Sequence, residues 1–489
     1  MTNLPHNYCG RFCLINFKTQ PSIVLFIMIK TLILGLLSLS CLHFLIAQNN
    51  LSEVEIDLIN RGLEKSYALK KSAHELSIDS IDKKMIKQNF IPTLDLDAKY
   101  GYGGSRINAD IPTMQLPITG INLFEGESSF NAKGQIFNSN LTAKALIFSG
   151  MQVNYGSKAT EEKIKAKNFM LFSKKSVIIK DMIDTFDKIK LLKQSEIVIS
   201  KSEERLTKEK ERVLTAIQNG LAVPYDKDKI TVAQLKLASV KIELYGNLSL
   251  LYLKLSMLTD VEVSTLETYS FELKPWEISN TNQTYNDRPE LKALDASINA
   301  YDYKVKMKKS LFLPKVQALA TLSYSNLFNA NLETPYSLPG GQNVNLELNK
   351  LEFAPSYFLG VGMQWELFSG FKHSNKTKIA HIQKHIAEEE KNDVEEKLEL
   401  FAKKVQVDFD VKNQQLLLKE QEMRVAENSL TLAIKSYRQG LISISDRLSN
   451  ETEYQNSVLN YYSYVVRQRM VAVELLISTG SLKIDNLSN

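Results

Sequence analysis

Two Gly-Leu pairs, Gly220-Leu221 and Gly440-Leu441, each break a long, charged run patterned for helix, and they stand 220 residues apart. Six residues after each glycine comes an aspartate, Asp226 and Asp446. A glycine just past the last turn ends a helix because it takes the left-handed conformation without steric cost. Each copy therefore reads as the reversal of a helical hairpin. Other landmarks keep nearly the same offset: Phe148-Ser149-Gly150 returns as Phe368-Ser369-Gly370, and Phe90-Ile91-Pro92 is echoed by Phe312-Leu313-Pro314. The chain is a duplication, and whatever it folds into must be built twice.

The order of elements within one copy follows from pattern. Ser52-Glu53-Val54-Glu55 has the form of a capping box and opens a helix expected to run to about residue 89. After Pro92 the period changes to two: Leu94, Leu96, Ala98, Tyr100 and Tyr102 alternate with Thr93, Asp95, Asp97, Lys99 and Gly101, a strand with one apolar face. A loop rich in Gly, Pro and Asn is expected over about 103–133, then a strand over about 135–148. From about 156 to 218, Ile164, Leu171, Ile178, Leu192, Ile199, Leu206 and Val213 recur at sevens, with Thr185 in the missing slot, so this helix is pressed against neighbours along its length. Its companion runs from about 224 to 258.

The second copy repeats this. Asp287-Arg288-Pro289-Glu290 is expected to cap a helix to about residue 310, and Val316, Ala318, Ala320, Leu322 and Tyr324 form the strand. A polar loop at about 326–355 precedes a strand ending Glu366-Leu367-Phe368. A helix over about 374–438 carries Ala402, Phe409, Leu416, Met423, Leu430 and Tyr437 at sevens, and the last helix ends near Gly480.

A net charge of +5 over 489 residues is too small to argue for nucleic acid as a partner. All three cysteines, Cys9, Cys13 and Cys41, precede residue 48, so the rest of the chain has no thiol for a disulfide, a zinc cluster or a nucleophile. They sit in a leader. Lys30, an apolar run from Leu32 to Ala47 and the small Ala47 make a secretory signal peptide, with residues 1–27 as an N-terminal extension. Cleavage before Cys41 would instead give a lipoprotein, although Ser38-Leu39-Ser40-Cys41 lacks an aliphatic residue three before the cysteine. The resulting division is 1–47 leader, 48–259 first repeat, 260–286 linker, 287–480 second repeat and 481–489 tail.

Length arithmetic suggests how the rods combine. At 1.5 Å per residue the 156–218 helix is about 95 Å long, and those at 52–89 and 224–258 are about 57 and 52 Å. Two short rods laid end to end match one long one, which suggests a cylinder wall. Four strands cannot close a barrel alone, and their open edges need partners. Strands of about 9–11 residues would span a bilayer. Several chains giving four strands each would close one barrel, and behind a signal peptide that barrel belongs in an outer membrane. The alternative is a periplasmic helical protein with two small β-ribbons.

Taken together, the duplicated plan, Arg288-Pro289-Glu290-Leu291, the strand-opening Pro92 and Pro314, the Phe-Ser-Gly strand ends and both Gly-Leu turns resemble the TolC-like outer-membrane efflux family, over essentially all of the sequence after the leader. The resemblance implies an α+β membrane protein: a homotrimer whose four strands per chain form a shared 12-stranded transmembrane β-barrel, standing on a long α-helical tunnel in the periplasm. It implies a mid-tunnel belt from the linker and the tail. It also implies an exit duct of a tripartite efflux or type I secretion system, passively conducting substrates delivered by an inner-membrane transporter and a periplasmic adaptor. By that resemblance Gly220, Leu221, Gly440 and Leu441 form the adaptor-docking tip, Asp446 rings the entrance with Arg447 beside it, and Tyr437 contacts Asp226 to close it. The second acid and the arginine of the family pattern are Ser449 and Ile442 here.

No sequence feature argues for catalysis or a cofactor. No His-Glu-x-x-His, phosphate-cradling glycine loop or nucleophile elbow is present. His381 and His385 lie at metal-ligand spacing but without a third ligand, so a wet helix face is expected and no metal. Asp446 can also be read as a first-turn acid favouring the helix dipole. A different class of function, a periplasmic coiled-coil scaffold or adaptor without a pore, remains as the rival reading.

Overall fold

The computed structural model describes residues 51–112, 115, 117–118, 120, 126–278, 285–337, 343–482 and 484. The leader and its cysteines lie outside the described residues. The chain begins with α1 (Glu53–Lys65) behind the expected capping box: the Glu55 amide donates to Ser52 Oγ and the Ser52 amide to Glu55 Oε2 (2.9 Å). The single helix expected to residue 89 is divided at Ser66. Its extended ψ of 111° breaks the ladder, and its side chain then caps α2 (Tyr67–Gln88) by accepting from the Leu69 amide.

Four antiparallel strands follow the expected plan but are about twice as long: β1 (Thr93–Ile111), β2 (Gly126–Phe148), β3 (Lys315–Ser337) and β4 (Asn343–Gln364), paired in the order β1-β2-β3-β4. The expected loops at 103–133 and 326–355 are largely their far ends. Alternation lapses there, yet backbone pairing needs no apolar face, and Gly103↔Gly134 through Ile111↔Gly126 continue the ladder. At the other end β4 stops at Gln364, so Leu367 and Phe368 lie beyond it.

The helix-proximal half of the sheet has two unlike faces. Cross-strand rows Leu94–Ala143–Ala320–Leu359 and Leu96–Leu141–Leu322–Tyr357 lie on one face, and most of these large side chains are exposed. Asp95, Thr142, Lys144, Gln317 and Ser323 lie on the other.

Each Phe-Ser-Gly sequence turns a strand into a long helix. Ser149 Oγ accepts from the Val153 amide (3.2 Å) and Ser369 Oγ from the His373 amide (3.1 Å), while Gly150-Met151 and Gly370-Phe371 take φ of 60–66°. The helices they start are α3 (Gln152–Gln218) and α7 (Lys372–Arg438), 67 residues each. The remaining helices are α4 (Pro224–Thr259), α5 (Val263–Thr268), α6 (Pro289–Lys309) and α8 (Ile444–Ser478). The expected side-chain cap of α6 is absent: Arg288 is its N-cap without a capping bond, and Pro289 at the first position supplies the start instead.

Helix α3 carries α2 on its sheet-proximal half and α4 on its distal half; α7 carries α6 and α8 in the same way. The repeats join where α3 also packs on α6 and α8, just as β2 pairs with β3. The wall therefore has two free sides. One is formed by α2, β1 and α4, the other by α7 and β4. The expected linker adds the short helix α5 and lies on the middle of α3, with Leu266, Phe271 and Trp276 in one core with Ile183, Phe186, Ile189 and Leu482. Among the described residues no helix is long and apolar enough to cross a membrane.

Candidate functional site at the hairpin turns

Both Gly-Leu turns are Schellman motifs. After α3, the Leu221 amide donates to Ala216 O (2.8 Å) and Gly220 to Ile217 O (3.0 Å), with Gly220 at φ +72°. After α7, Leu441 donates to Ser436 O (2.9 Å) and Gly440 to Tyr437 O (3.0 Å), with Gly440 at φ +70°. The leucine of such a motif commonly packs back on the third-last helical residue. Here those residues are Ala216 and Ser436, too small to hold it, and Leu221 and Leu441 stand 82% and 70% exposed. Each hairpin therefore ends in a bare leucine.

The two turns lie side by side. Ile444 at the start of α8 is buried in a core with Ile230 of α4 and Leu206 and Val213 of α3. Lys229 of α4 donates to Ser445 Oγ and lies over the Tyr225 ring. Away from the turn, a cleft of about 680 Å³ separates α4 from α8, lined by Val232, Leu237, Val240, Leu448 and Thr452.

The candidate entrance residues are placed differently from one another. Asp446 is exposed and completes a capping box: Oδ2 accepts from Ser443 Oγ (2.7 Å) and the Ser443 amide (3.2 Å), and its own amide donates back to Ser443 Oγ. These bonds to the ionised form hold its carboxyl below the usual aspartate range. Tyr437 and Asp226 are near neighbours, and burial, then the Asp226 charge, raises the tyrosine pKa. No hydrogen bond joins them among the described residues.

Arg447 does not share the open position of Asp446. It is 1% exposed, and its Nη2 lies 3.1 Å from Oε2 of Glu451, itself 2% exposed. Oε1 of Glu451 accepts from Arg205 Nη2 at 2.6 Å and Nε at 3.0 Å, tying α8 to α3. Burial draws the Arg447 guanidinium below its ordinary pKa against the pull of Glu451 and Glu209, but from so high a starting value that it stays charged. Only part of this network is visible in the sequence. Arg447 and Glu451 are four apart, and Ser443-x-x-Asp446 has a capping-box form, so both signals were there to be read. Arg205 lies 246 residues from Glu451 and gave none. His385 meets Glu388 (2.9 Å) on an exposed part of α7; no group of three or more His, Cys, Asp or Glu is gathered for a metal among the described residues.

The paired strand–helix units, the twin turns and the open sides together have a counterpart among known proteins. Residues 281–468, from the linker's end through most of α8, match the family model described as outer membrane efflux protein. The chain carries an outer membrane efflux protein domain. Solved structures extend the likeness of fold to the first repeat as well. The Campylobacter jejuni CmeC outer membrane channel is 14% identical, with a TM-score of 0.64 over 88% of this chain and 86% of that one. VceC from Vibrio cholerae is 14% identical, with a TM-score of 0.63 over 86% and 95%. The open state of the Neisseria gonorrhoeae MtrE outer membrane channel is 14% identical, with a TM-score of 0.61 over 88% and 90%. No curated protein sequence matches. The outer membrane efflux domain thus ends in α7 and α8, the helices that carry the second turn.

Proposed function

We propose that this efflux protein is the outer-membrane exit duct of a tripartite efflux or type I secretion system, a homotrimer with a 12-stranded barrel in the outer membrane and its helices in the periplasm. It conducts passively; an inner-membrane transporter and a periplasmic adaptor supply the cargo and the energy. The family match and the fold shared with outer membrane channels support this reading.

One observation carries it. Within the chain, the long helix of the first repeat packs on the short helices of the second, and β2 pairs with β3. The free sides are the same two surfaces over again, α7 with β4 and α2 with β1 and α4. Copies joined through them repeat a contact that the chain already makes, and such a heterologous joint gives a ring when the rotation between copies closes, as the proposed trimer requires. In that ring the apolar face of the sheet meets lipid and the polar face lines the lumen. At the far end Gly220, Leu221, Gly440 and Leu441 form the adaptor-docking tip, with the two bare leucines as apolar contacts. Asp446 rings the entrance, Tyr437 and Asp226 adjoin it, and Arg447 stiffens the wall behind it.

The repeat fixes a register that can be tested. Leu141 pairs with Leu322 across β2 and β3, and the strand-end and strand-start landmarks carry this pair to Val361 and Tyr100. With no cysteine after Cys41, the double substitution Val361→Cys and Tyr100→Cys introduces the sole thiols of the processed chain. Oxidation of membranes should give covalent dimers and trimers on a non-reducing gel, and the purified protein should give single-channel conductance in planar bilayers. A monodisperse monomer soluble without detergent would sink the reading.

A further inference from the structure

We propose that the helix ends beneath the sheet form a basic collar that binds anionic phospholipid headgroups of the periplasmic leaflet. The inference rests on the sheet lying in the outer membrane, and it adds a lipid specificity to that reading. All four helix ends that meet the sheet are rich in lysine. Residues 77–92, 149–168, 300–314 and 369–388 hold fifteen lysines against six acids, whereas the whole chain has only 60 basic and 55 acidic residues. Positive charge is thus concentrated at one level, and the rest of the chain is net acidic.

Intrahelical electrostatics explains only part of this. Lys308 and Lys309 close α6, where cations complement the helix dipole. Lys372, by contrast, is the first residue of α7, followed by Lys376 and Lys378, and neither α3 nor α7 has an acid in its first turn. A cation in the first turn of a helix opposes the dipole, so Lys372 does not serve the helix that carries it. Local pairing accounts for others: Lys83, Lys163, Lys165, Lys167, Lys306 and Lys384 each reach an acid. The remaining nine make no ion pair among the described residues.

The neighbours of the lysines without an acid identify the anion. Trp365, Phe368 and Phe371 are exposed at the same level, and the exposed apolar rows of the sheet begin immediately above. Amphipathic aromatics beside an apolar belt, with lysines just outside it, match the order of groups across a membrane interface. A lipid headgroup is the anion found at that level on every side of a barrel.

Trp365 provides the readout, since the only other tryptophan, Trp276, is buried in the linker core. The full-length protein, reconstituted in vesicles of phosphatidylcholine with brominated phosphatidylglycerol or brominated phosphatidylcholine, should show a relative binding preference for phosphatidylglycerol of about threefold or more. The variant Lys372→Gln, Lys376→Gln, Lys378→Gln should lose most of that preference while keeping its conductance. Because it removes one charge that opposes the α7 dipole and two that make no ion pair among the described residues, it should fold at least as well; a second variant, Lys308→Gln with Lys309→Gln, tests the same collar from α6. Equal quenching by both brominated lipids, or a preference that survives both variants, overturns the collar alone. No quenching by either lipid overturns the membrane placement as well.

Discussion

Replacing Glu451 by Ala should loosen the end of the helical wall far more than an ordinary charge deletion. In the native fold Glu451 is 2% exposed and takes bonds from both Arg447, at 1%, and Arg205. Without it Arg447 remains buried with no carboxylate in contact. Removing one partner of a buried pair costs about 3–5 kcal/mol, which is about two to four orders of magnitude in local opening. Arg205 adds little to this, because its side chain is 27% exposed and water can replace the lost bond. Hydrogen exchange of the intact oligomer should show the loss in amides near residues 202–209 of α3 and 447–455 of α8, and leave those beside the sheet unchanged. The double variant Glu451→Leu with Arg447→Met should recover most of the protection, since apolar side chains of similar size do not strand a charge. The account fails if the single change costs less than about 1 kcal/mol, or if the double variant is no better protected than the single one.

At Gly440 a Cβ would meet no atom within 4 Å, so Gly440→Ala should cost only the left-handed backbone strain, about 1–2 kcal/mol by chemical denaturation; Gly440→Glu should abolish export while leaving oligomers in the membrane, and unchanged drug resistance would count against the tip assignment. The Asp446 carboxyl titrates below the ordinary aspartate range because Ser443 bonds its ionised form, so its capping contribution is present above about pH 4 and is lost as pH falls through the folded pKa. Ser443→Ala should move the Asp446 titration, followed by NMR, upward, and no movement would refute the capping account. On the sheet, Leu359→Lys should cost about 2–4 kcal/mol and lower the yield of assembled channel in membranes, whereas Gln317→Lys on the opposite face should be tolerated; equal effects would remove the distinction between the faces.

The duplication and its elements were legible because they rest on local chemistry. Glycines past helix ends, heptads along α3 and α7, and the period-two run after Pro92 each act within a few residues. Strand length was not legible. From Gly103 and from Asn326 onward the side chains no longer alternate, and what extends the strands is pairing between backbones that a sequence pattern does not display. The break at Ser66 was a capping serine inside a run that otherwise reads as helix. The turns themselves were placed by residue number, but the burial of Arg447 was not. An arginine beside Asp446 reads as solvent-facing until Arg205, brought from α3, supplies the other side of Glu451.

That burial bears on how the far end of the wall is held together. The family resemblance places an arginine two residues past the second glycine, where this chain has Ile442, and a second acid where it has Ser449. Of the two arginines that flank Ile442, Arg438 at the end of α7 is exposed, whereas Arg447, five residues further along, is buried in the wall, where Glu451 holds it and Arg205 together. Charge beside the second turn thus joins the two hairpins of one chain to each other. A network internal to the chain keeps the hairpins together whether or not neighbouring copies move apart. The exposed groups at the turns include Leu221, Val223, Tyr225 and Leu441, the acid Asp446 already engaged in a helix cap, and the charges of Asp228 and Arg438. In the proposed ring, contacts between copies at this end would mix apolar packing with exposed charge, and the part that salt weakens would measure the share of the charges, since salt screens them and leaves apolar contact intact.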